Sequence, residues 1–220
     1  DLVRSRGLGD VYKRQAYRQR LYDRAADAFR QALEIYRGLD DRHRQDKAFS
    51  GLTLSYYTIG NYSATLDAAL EWLTLARSLG SLHAQMQALG HLGNASRHLG
   101  TYDQAIAYQL ESLELAQQLG DQESQIAILN NLGLAYKAMG DLNRAVAYQL
   151  RSLSTVREVG DRDAEIQVLK NIGNAYYAQE DYSRSVEYYQ QLLRLAQQRE
   201  DYRAVGQVLR SLANAARYLG

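Results

Sequence analysis

Apolar residues recur at helical spacing along most of this 220-residue chain. In the middle of the chain, one segment places its apolar and small residues on a single helix face, namely Ile126, Leu129, Leu132, Gly133 and Tyr136. The next segment does the same with Leu142, Ala145, Val146, Leu150, Leu153 and Val156. The pattern predicts two amphipathic helices in succession as the basic unit.

This pair of helices repeats every 40 residues. Residues 81–120 and 121–160 are identical at 14 positions without a gap. Each segment ends in a glycine suited to a left-handed helix C-terminus and is followed by a Ser, Thr or Asp suited to an N-cap; the glycines are Gly80, Gly100, Gly120, Gly140 and Gly160. A period near 40 also suits HEAT, armadillo and propeller repeats, but a propeller needs strands of period two. The chain is therefore predicted to be all-α.

Three stretches carry a family signature: LGNASRHLGTYDQAIAYQLESLELA (92–116), LGLAYKAMGDLNRAVAYQLRSL (132–153) and IGNAYYAQEDYSRSVEYYQQLLRLA (172–196). They resemble tetratricopeptide repeats, in the 40-residue class found in Pins-type adaptors, kinesin-light-chain-like proteins and bacterial signalling proteins. The resemblance covers residues 16–220. It implies an α-solenoid of antiparallel helix pairs stacked in a right-handed superhelix, with the first helix of each pair on the concave face.

The repeat divides the chain into predicted units. A partial repeat at 16–41 precedes full repeats at about 42–80, 81–120, 121–160 and 161–200, and a partial repeat at 201–220 follows. Residues 16–20 are expected to end one helix before a second begins at residue 22. Residues 1–15 lack the repeat and resemble a translated sequencing-adaptor string, so we expect a non-native segment; a real N-terminal segment is the alternative. The chain is expected to be a fragment of a longer array.

Signature positions have physical roles within this pattern. Gly93, Gly133 and Gly173 are expected where the two helices of a pair come closest, because no side chain intervenes. Trp72 stands where the later repeats have Ser112 and Ser152. We expect the indole to fill the core of an atypical repeat, with ligand stacking as the alternative.

Composition excludes several functions. The chain has no Cys and no Pro, and its 26 basic and 25 acidic residues leave a net charge of +1. No thiolate metal site, disulfide framework or cysteine nucleophile is available. No apolar run approaches the roughly 20 residues of a membrane span, and no signal-peptide core is present. We expect a cytoplasmic protein without a cofactor or a membrane partner.

Charge is distributed unevenly along the repeat. The first helices are expected at 47–58, 87–98, 127–138, 167–178 and 207–218, and these positions hold no Asp or Glu. Their basic residues are Lys47, His91, Arg97, His98, Lys137, Lys170, Arg210 and Arg217. Spacing by 40 should align Asn94, Asn174 and Asn214 in one row and Lys170 and Arg210 in another. Burial between neighbouring helices could explain missing acids, but it does not explain retained cations and asparagines.

Asparagine can donate to and accept from a peptide backbone, and Lys or Arg can bind a carboxylate. The pattern therefore predicts a groove for an extended acidic or C-terminal peptide. The candidate residues are Asn94, Arg97, His98, Asn130, Asn131, Lys137, Lys170, Asn171, Asn174, Tyr177, Arg210, Asn214 and Arg217. Lys170 and Asn174 resemble part of a chaperone-tail clamp, but Ser211 replaces its next Asn. Leu54 and Leu134 likewise interrupt the Asn row expected of Pins-type grooves.

No catalytic motif is recognisable, and the glycines are accounted for as repeat punctuation. His91 and His98 are separated by two helical turns and lack an acidic third ligand nearby. We therefore predict a non-enzymatic interaction module whose partner is a protein or peptide, in another chain or in its own. The alternatives are a regulatory array of a larger signalling enzyme and, third, RNA binding through the cations and Tyr57, Tyr177 and Tyr218.

Overall fold

The computed structural model describes the backbone of residues 2–219 and the side chains of residues 19–219. Within that part the chain forms α-helices joined by short turns and contains no strand. The helices are α1 Leu2–Gly38, α2 Arg42–Thr58, α3 Tyr62–Ser78, α4 Leu82–His98, α5 Tyr102–Gln118, α6 Gln122–Met139, α7 Leu142–Val159, α8 Arg162–Ala178, α9 Tyr182–Gln198 and α10 Tyr202–Ala216. The fold is an all-α array of helix pairs, as the period predicted.

The helices group into two compact units, Asp1–Leu115 and Ala116–Gly220, with the boundary inside α5. In unit 1 each helix from α1 to α4 packs against the next, and the first helices α2 and α4 also contact each other. In unit 2 the helices from α6 to α10 pack in the same sequential way, and α6 contacts α8. First helices therefore lie side by side within each unit.

The turns recur at every twentieth residue. A residue of positive φ stands at each turn: Asp40, Gly60, Gly80, Gly100, Gly120, Gly140, Gly160, Glu180 and Glu200. Glycine adopts this left-handed conformation without a steric penalty because it has no Cβ. The three acidic residues also adopt it, but their Cβ atoms make it unfavourable. A polar N-cap follows most of these residues; the carboxylate of Asp141, for example, accepts from the backbone N–H of Arg144. The alternation of a left-handed residue and a cap fixes the helix ends.

Helix α1 differs from the sequence prediction. Its backbone stays helical through residues 16–22, where one helix was expected to end and another to begin. Arg20 and Leu21 occupy the positions at which later repeats have a left-handed glycine and a capping residue. Without those signals nothing in the local sequence ends the helix. The predicted non-native segment 1–15 lies outside the residues whose side chains are described.

The close approaches predicted for three glycines are confirmed. A Cβ added to Gly93 or Gly133 would lie 2.6 or 2.4 Å from the side chain of Gln109 or Gln149, and one added to Gly173 would lie 2.5 Å from the ring of Tyr189. Such distances cannot be tolerated without movement, so glycine is required where the paired helices meet.

The core prediction for Trp72 is also confirmed. Its side chain is 1% exposed, and the indole Nε1–H donates to Oδ1 of Asp46 at 2.6 Å. In the following repeats the corresponding residues are Ser112 and Ser152, whose hydroxyls donate to the carbonyls of Met86 and Ile126. A single repeat position therefore holds either a large ring or a small hydrogen-bonding group.

The expected extent of the first helices was too short. Each one begins five residues before the predicted start, at Arg42, Leu82, Gln122, Arg162 and Tyr202. These added turns carry Asp46, Glu123, Asp163 and Glu165, so acids are absent only from the later turns of the helices.

Candidate functional site

The predicted asparagines meet in unit 2. Asn171 on α8 donates its Nδ2–H to Oδ1 of Asn130 on the neighbouring first helix α6, at 2.8 Å. These residues are 41 apart in sequence, whereas the prediction aligned residues 40 apart. At this pair, a residue of α8 therefore contacts a residue one register position away on α6. The rows of Asn94, Asn174 and Asn214 and of Lys170 and Arg210 stay a prediction.

Side chains on the second helices α7 and α9 donate hydrogen bonds to asparagines of the first helices. The amide Nε2 of Gln149 donates to both the backbone oxygen and Oδ1 of Asn130, each at 3.1 Å. The hydroxyl of Tyr189 donates to Oδ1 of Asn174 at 2.7 Å. Because the side-chain oxygen of Asn174 is engaged inside the repeat, its Nδ2–H₂ group remains as a donor toward solvent.

Unit 1 contains the same arrangement once. Gln109 Nε2 donates to Oδ1 of Asn94 at 3.0 Å and to the carbonyl of Gly90. Gln109 and Gln149 are 1% and 2% exposed, and the Oε1 atom of each is buried without a hydrogen-bond partner in the described part of the chain. The sequence analysis missed this supporting role, although the repeated A-Y-Q-L at 107–110 and 147–150 was the available signal.

The cations in the later turns of the first helices form no ion pair among the described residues. Ion pairs among the described residues use arginines in helix first turns, at helix ends and on α1, such as Arg77 with Glu111 at 2.7 Å and Arg144 with Asp141 at 2.5 Å. None of the described ion pairs involves the later-turn cations, which are Lys47, Arg97, Lys137, Lys170, Arg210 and Arg217. Their positive charge is therefore not neutralised by a neighbouring side chain.

In unit 2, the helices α6, α8 and α10, together with the C-cap of α10, carry four of the candidate cations and five of the candidate asparagines. Lys170, Arg210 and Arg217 are exposed and Lys137 is half-buried. Asn214 is exposed, while Asn130, Asn131, Asn171 and Asn174 are half-buried. We call these nine residues the Asn–cation surface. Tyr177 lies beside them.

In each unit, three aromatic rings pack together near the C-terminal ends of first helices. In unit 1, His98 stacks on Tyr62 with centroids 4.3 Å apart, and Tyr57 meets both rings edge-on. In unit 2, Tyr218 stacks on Tyr182 at 4.4 Å and Tyr177 meets both edge-on. We call these the unit 1 and unit 2 ring clusters. They account for the placement of two of the predicted site residues, His98 and Tyr177.

Arg97 is tied to the unit 1 ring cluster. Its Nη2 lies 3.1 Å from Nε2 of His98, and Tyr57 Oη lies at the same distance from that nitrogen. Since the guanidinium can only donate, Nε2 must accept and the imidazole must be neutral in this arrangement. Burial and then the charge of Arg97 lower the pKa of His98, and burial lowers the pKa of the neighbouring His91.

The described residues contain neither a candidate metal-binding cluster nor a candidate membrane-spanning helix. No three or more His, Cys, Asp or Glu side chains are grouped so that they could hold a metal ion. Among the described helices, none combines the length and apolar character needed to cross a bilayer.

Comparison with solved structures agrees with this fold. BtubC from P. vanneervenii has a TM-score of 0.76 at 20% identity, over 90% of this chain and 84% of that one. A Rap protein complexed with Competence and Sporulation Factor has a TM-score of 0.71 at 18% identity, over 92% and 60%. A STAND protein with a tetratricopeptide repeat sensor from Pyrococcus horikoshii has a TM-score of 0.71 at 17% identity, over 90% and 34%. This chain thus spans only part of the latter two proteins.

No curated protein sequence is significantly similar to the chain. The model of the tetratricopeptide repeat family matches residues 84–158 and again residues 124–198, which together cover more than half of the sequence. The matched residues run from α4 to α9 and contain the three stretches on which the resemblance was based. The chain belongs to the tetratricopeptide repeat family.

Proposed function

We propose that this protein is a non-catalytic interaction module that binds an extended acidic peptide on the Asn–cation surface of unit 2. The observation that carries the proposal is the set of cations without carboxylate partners, Lys137, Lys170, Arg210 and Arg217. Elsewhere in the described chain, arginines such as Arg77, Arg144 and Arg157 pair with nearby acids, whereas Arg24 and Arg194 are unpaired but belong to different units. A face that keeps its cations unpaired is suited to the carboxylates of a ligand.

The asparagines give such a ligand a second means of recognition. The hydroxyl of Tyr189 occupies the side-chain oxygen of Asn174, which leaves amide N–H groups to donate to the carbonyls of an extended peptide. The internal hydrogen bonds also hold the side chain in place before binding. A preorganised donor loses less conformational entropy when the ligand arrives.

The protein partners of related folds support the class of ligand. The Rap protein among the similar structures is complexed with Competence and Sporulation Factor. The low identities show the fold alone, so the acidic character of the ligand rests on the charges of this chain.

A fluorescence-polarisation titration tests the proposal. The probe is a labelled ten-residue peptide of Glu, Asp and Gly with one central Ala and a free carboxyl terminus. Its counterpart has Lys in place of each acid. We expect only the acidic peptide to bind, and we expect Lys170→Glu with Arg210→Glu to weaken its binding by at least about tenfold, or ~1.4 kcal/mol.

The matched control is Arg24→Glu with Arg194→Glu. Both of these arginines are exposed and lie outside the Asn–cation surface. Their replacement changes the net charge by the same amount as Lys170→Glu with Arg210→Glu. We expect them to weaken binding less than about twofold at physiological ionic strength, because distant exposed charges are screened. Equal losses in the two double variants, or no binding of the acidic peptide, would contradict the proposal. Preferential binding of a single-stranded RNA with steep salt dependence would favour the RNA alternative instead.

A second candidate function is a regulatory array attached to an effector domain. It is favoured by the STAND protein, in which a similar array is a sensor and the matched region is 34% of the chain. The full reading frame that contains residues 16–220 would test it: an adjacent catalytic domain supports the candidate. The two functions are compatible if the acidic peptide is the signal.

A further inference from the structure

Unit 2 contains a cavity next to the Asn–cation surface. It has a volume of about 200 Å³ and is bounded by α8, α9 and α10. Ile166, Leu192 and Val208 provide apolar walls, and Lys170 and Arg203 lie at its edge. An engineered cavity of roughly 150 Å³ with apolar walls can hold benzene, so this one is large enough for a phenyl ring or a branched aliphatic side chain.

The corresponding position in unit 1 is filled by rings. The two ring clusters are related by 120 residues, since Tyr57, Tyr62 and His98 become Tyr177, Tyr182 and Tyr218. The same offset relates Trp72 to Leu192 and His91 to Ser211, and both of the latter residues line the cavity. In unit 1 the indole of Trp72 is buried, with its centroid 6.0 Å from the His91 ring. The unit 2 cavity therefore lies where unit 1 packs two aromatic side chains.

One pair of helices earlier, a hydrogen bond spans the equivalent entrance. Asn171 on α8 reaches Asn130 on α6. Forty residues on, the corresponding residues on α10 and α8 are Ser211 and Lys170, and both line the cavity. The hydroxyl of Ser211 donates to the carbonyl of Gln207 on its own helix, so the bond between two amides is replaced here by a short hydroxyl and a cation.

The charge at the cavity edge is also changed. Arg203 stands at the repeat position of Asp163, and Asp163 is paired with Arg199. No described ion pair involves Arg203 or Lys170. Asp201 is occupied as the N-cap of α10, where its carboxylate accepts from the backbone N–H of Ala204. Two cations without an ion pair thus line a recess in which apolar side chains stand beside polar ones such as Gln167 and Gln207.

We propose that this cavity takes one large apolar side chain, of phenylalanine or leucine size, from an acidic peptide whose neighbouring carboxylates are bound by Lys170 and Arg203. The inference rests on the proposed function and specifies its ligand. The cavity supplies an anchor, and the cations select acids on either side of it. An acidic peptide without an apolar residue binds the same surface more weakly.

The test uses the full chain and two labelled acidic peptides that differ only at their central residue, Phe or Ala. We expect Phe to strengthen binding by about tenfold. Ala204→Leu places a larger side chain in the cavity wall and should abolish the difference in affinity between the Phe and Ala peptides. Ala213→Leu, an equal enlargement at an exposed position on α10, should leave the gain intact.

Ser211→His provides a second variant, because it introduces the residue that unit 1 uses at this position; we expect it to reduce the gain even if Ala204→Leu disturbs folding. Equal affinity for the Phe and Ala peptides would overturn the cavity proposal and leave the proposed function standing. Absence of binding by both peptides would overturn both. Concentration-dependent dimerisation of the wild type that Ala204→Leu abolishes would assign the cavity to a second copy of the chain and also overturn the proposal.

Discussion

The ring clusters of unit 1 and unit 2 have the same geometry, although they are built from different residues. Stacked centroids lie 4.3 Å apart for Tyr62 and His98 and 4.4 Å apart for Tyr182 and Tyr218. Tyr57 and Tyr177 meet their stacks edge-on in the same way. The position therefore requires a flat ring and accepts either an imidazole or a phenol.

Beneath the clusters the two units differ. In unit 1 the ring contacts continue from Tyr57 to His91 and on to the buried Trp72. In unit 2 the corresponding residues are Ser211 and Leu192, and a cavity takes the place of the rings. The comparison indicates that one repeat frame can serve either as a filled core or as a recess beside unpaired cations.

Of the substitutions that test this difference in packing, replacement of Trp72 should lower the free energy of unfolding the most. Trp72→Ser introduces the small residue of the two following repeats into a site that is packed around an indole. We expect a loss of about 3–5 kcal/mol in the free energy of unfolding, because a fully buried indole leaves a large void. Denaturation followed by circular dichroism measures it. Leu192→Ser should cost less, about 2 kcal/mol, since its surroundings are already incompletely filled; an equal loss would contradict the difference in packing.

The close contact of Gly173 with Tyr189 gives the next largest effect. Gly173→Ala places a Cβ against an aromatic ring at 2.5 Å, and we expect a net destabilisation of about 1–3 kcal/mol. Gly206→Ala is the matched control, since no atom lies within 4 Å of the added Cβ. It should stabilise the protein by roughly 0.5–1 kcal/mol because alanine favours the helix. Hydrogen exchange in α8 and α9 would locate the change.

The acidic residues with positive φ should yield a smaller gain. Glu180→Gly and Glu200→Gly place in unit 2 the residue that ends most other helices. Each should raise the melting temperature and add about 1 kcal/mol of stability, because glycine avoids the Cβ strain of the left-handed region. Gly100→Glu, the reverse change, should cost a similar amount. A loss on Glu200→Gly would show that its side chain makes a stabilising interaction that outweighs the strain.

The smallest expected effect is the pH dependence of stability that two histidines of unit 1 add below pH ~6.5. The pKa values of His91 and His98 are lowered in the folded chain, so the unfolded chain binds more protons just below pH ~6.5. Stability therefore falls as the pH drops from about 6.5 toward the lowered values and levels off below them. His98→Tyr copies the unit 2 ring cluster and should reduce this slope, measured by denaturation at several pH values.

Sequence reasoning captured the features that repeat. The spacing of Ile126, Leu129 and Leu132 identified the helices, and the glycines at forty-residue intervals identified the turns and the close contacts. It could not capture the hydrogen bond between Asn130 and Asn171, because their offset of 41 depends on how two helices lie side by side. Nor could it reveal the cavity, which requires side chains from three helices.

The left-handed residue at every twentieth position has a consequence for how such a chain can change in length. Insertion or deletion of a forty-residue block by recombination would preserve the role of each side chain, because first helices would still follow second helices. Insertion or deletion of a twenty-residue block would turn first helices into second helices and the reverse. A glutamine such as Gln149 would then lie at the helix position that Asn130 now occupies. Viable length variants should therefore be spaced by whole repeats, with the half-repeat as the forbidden step.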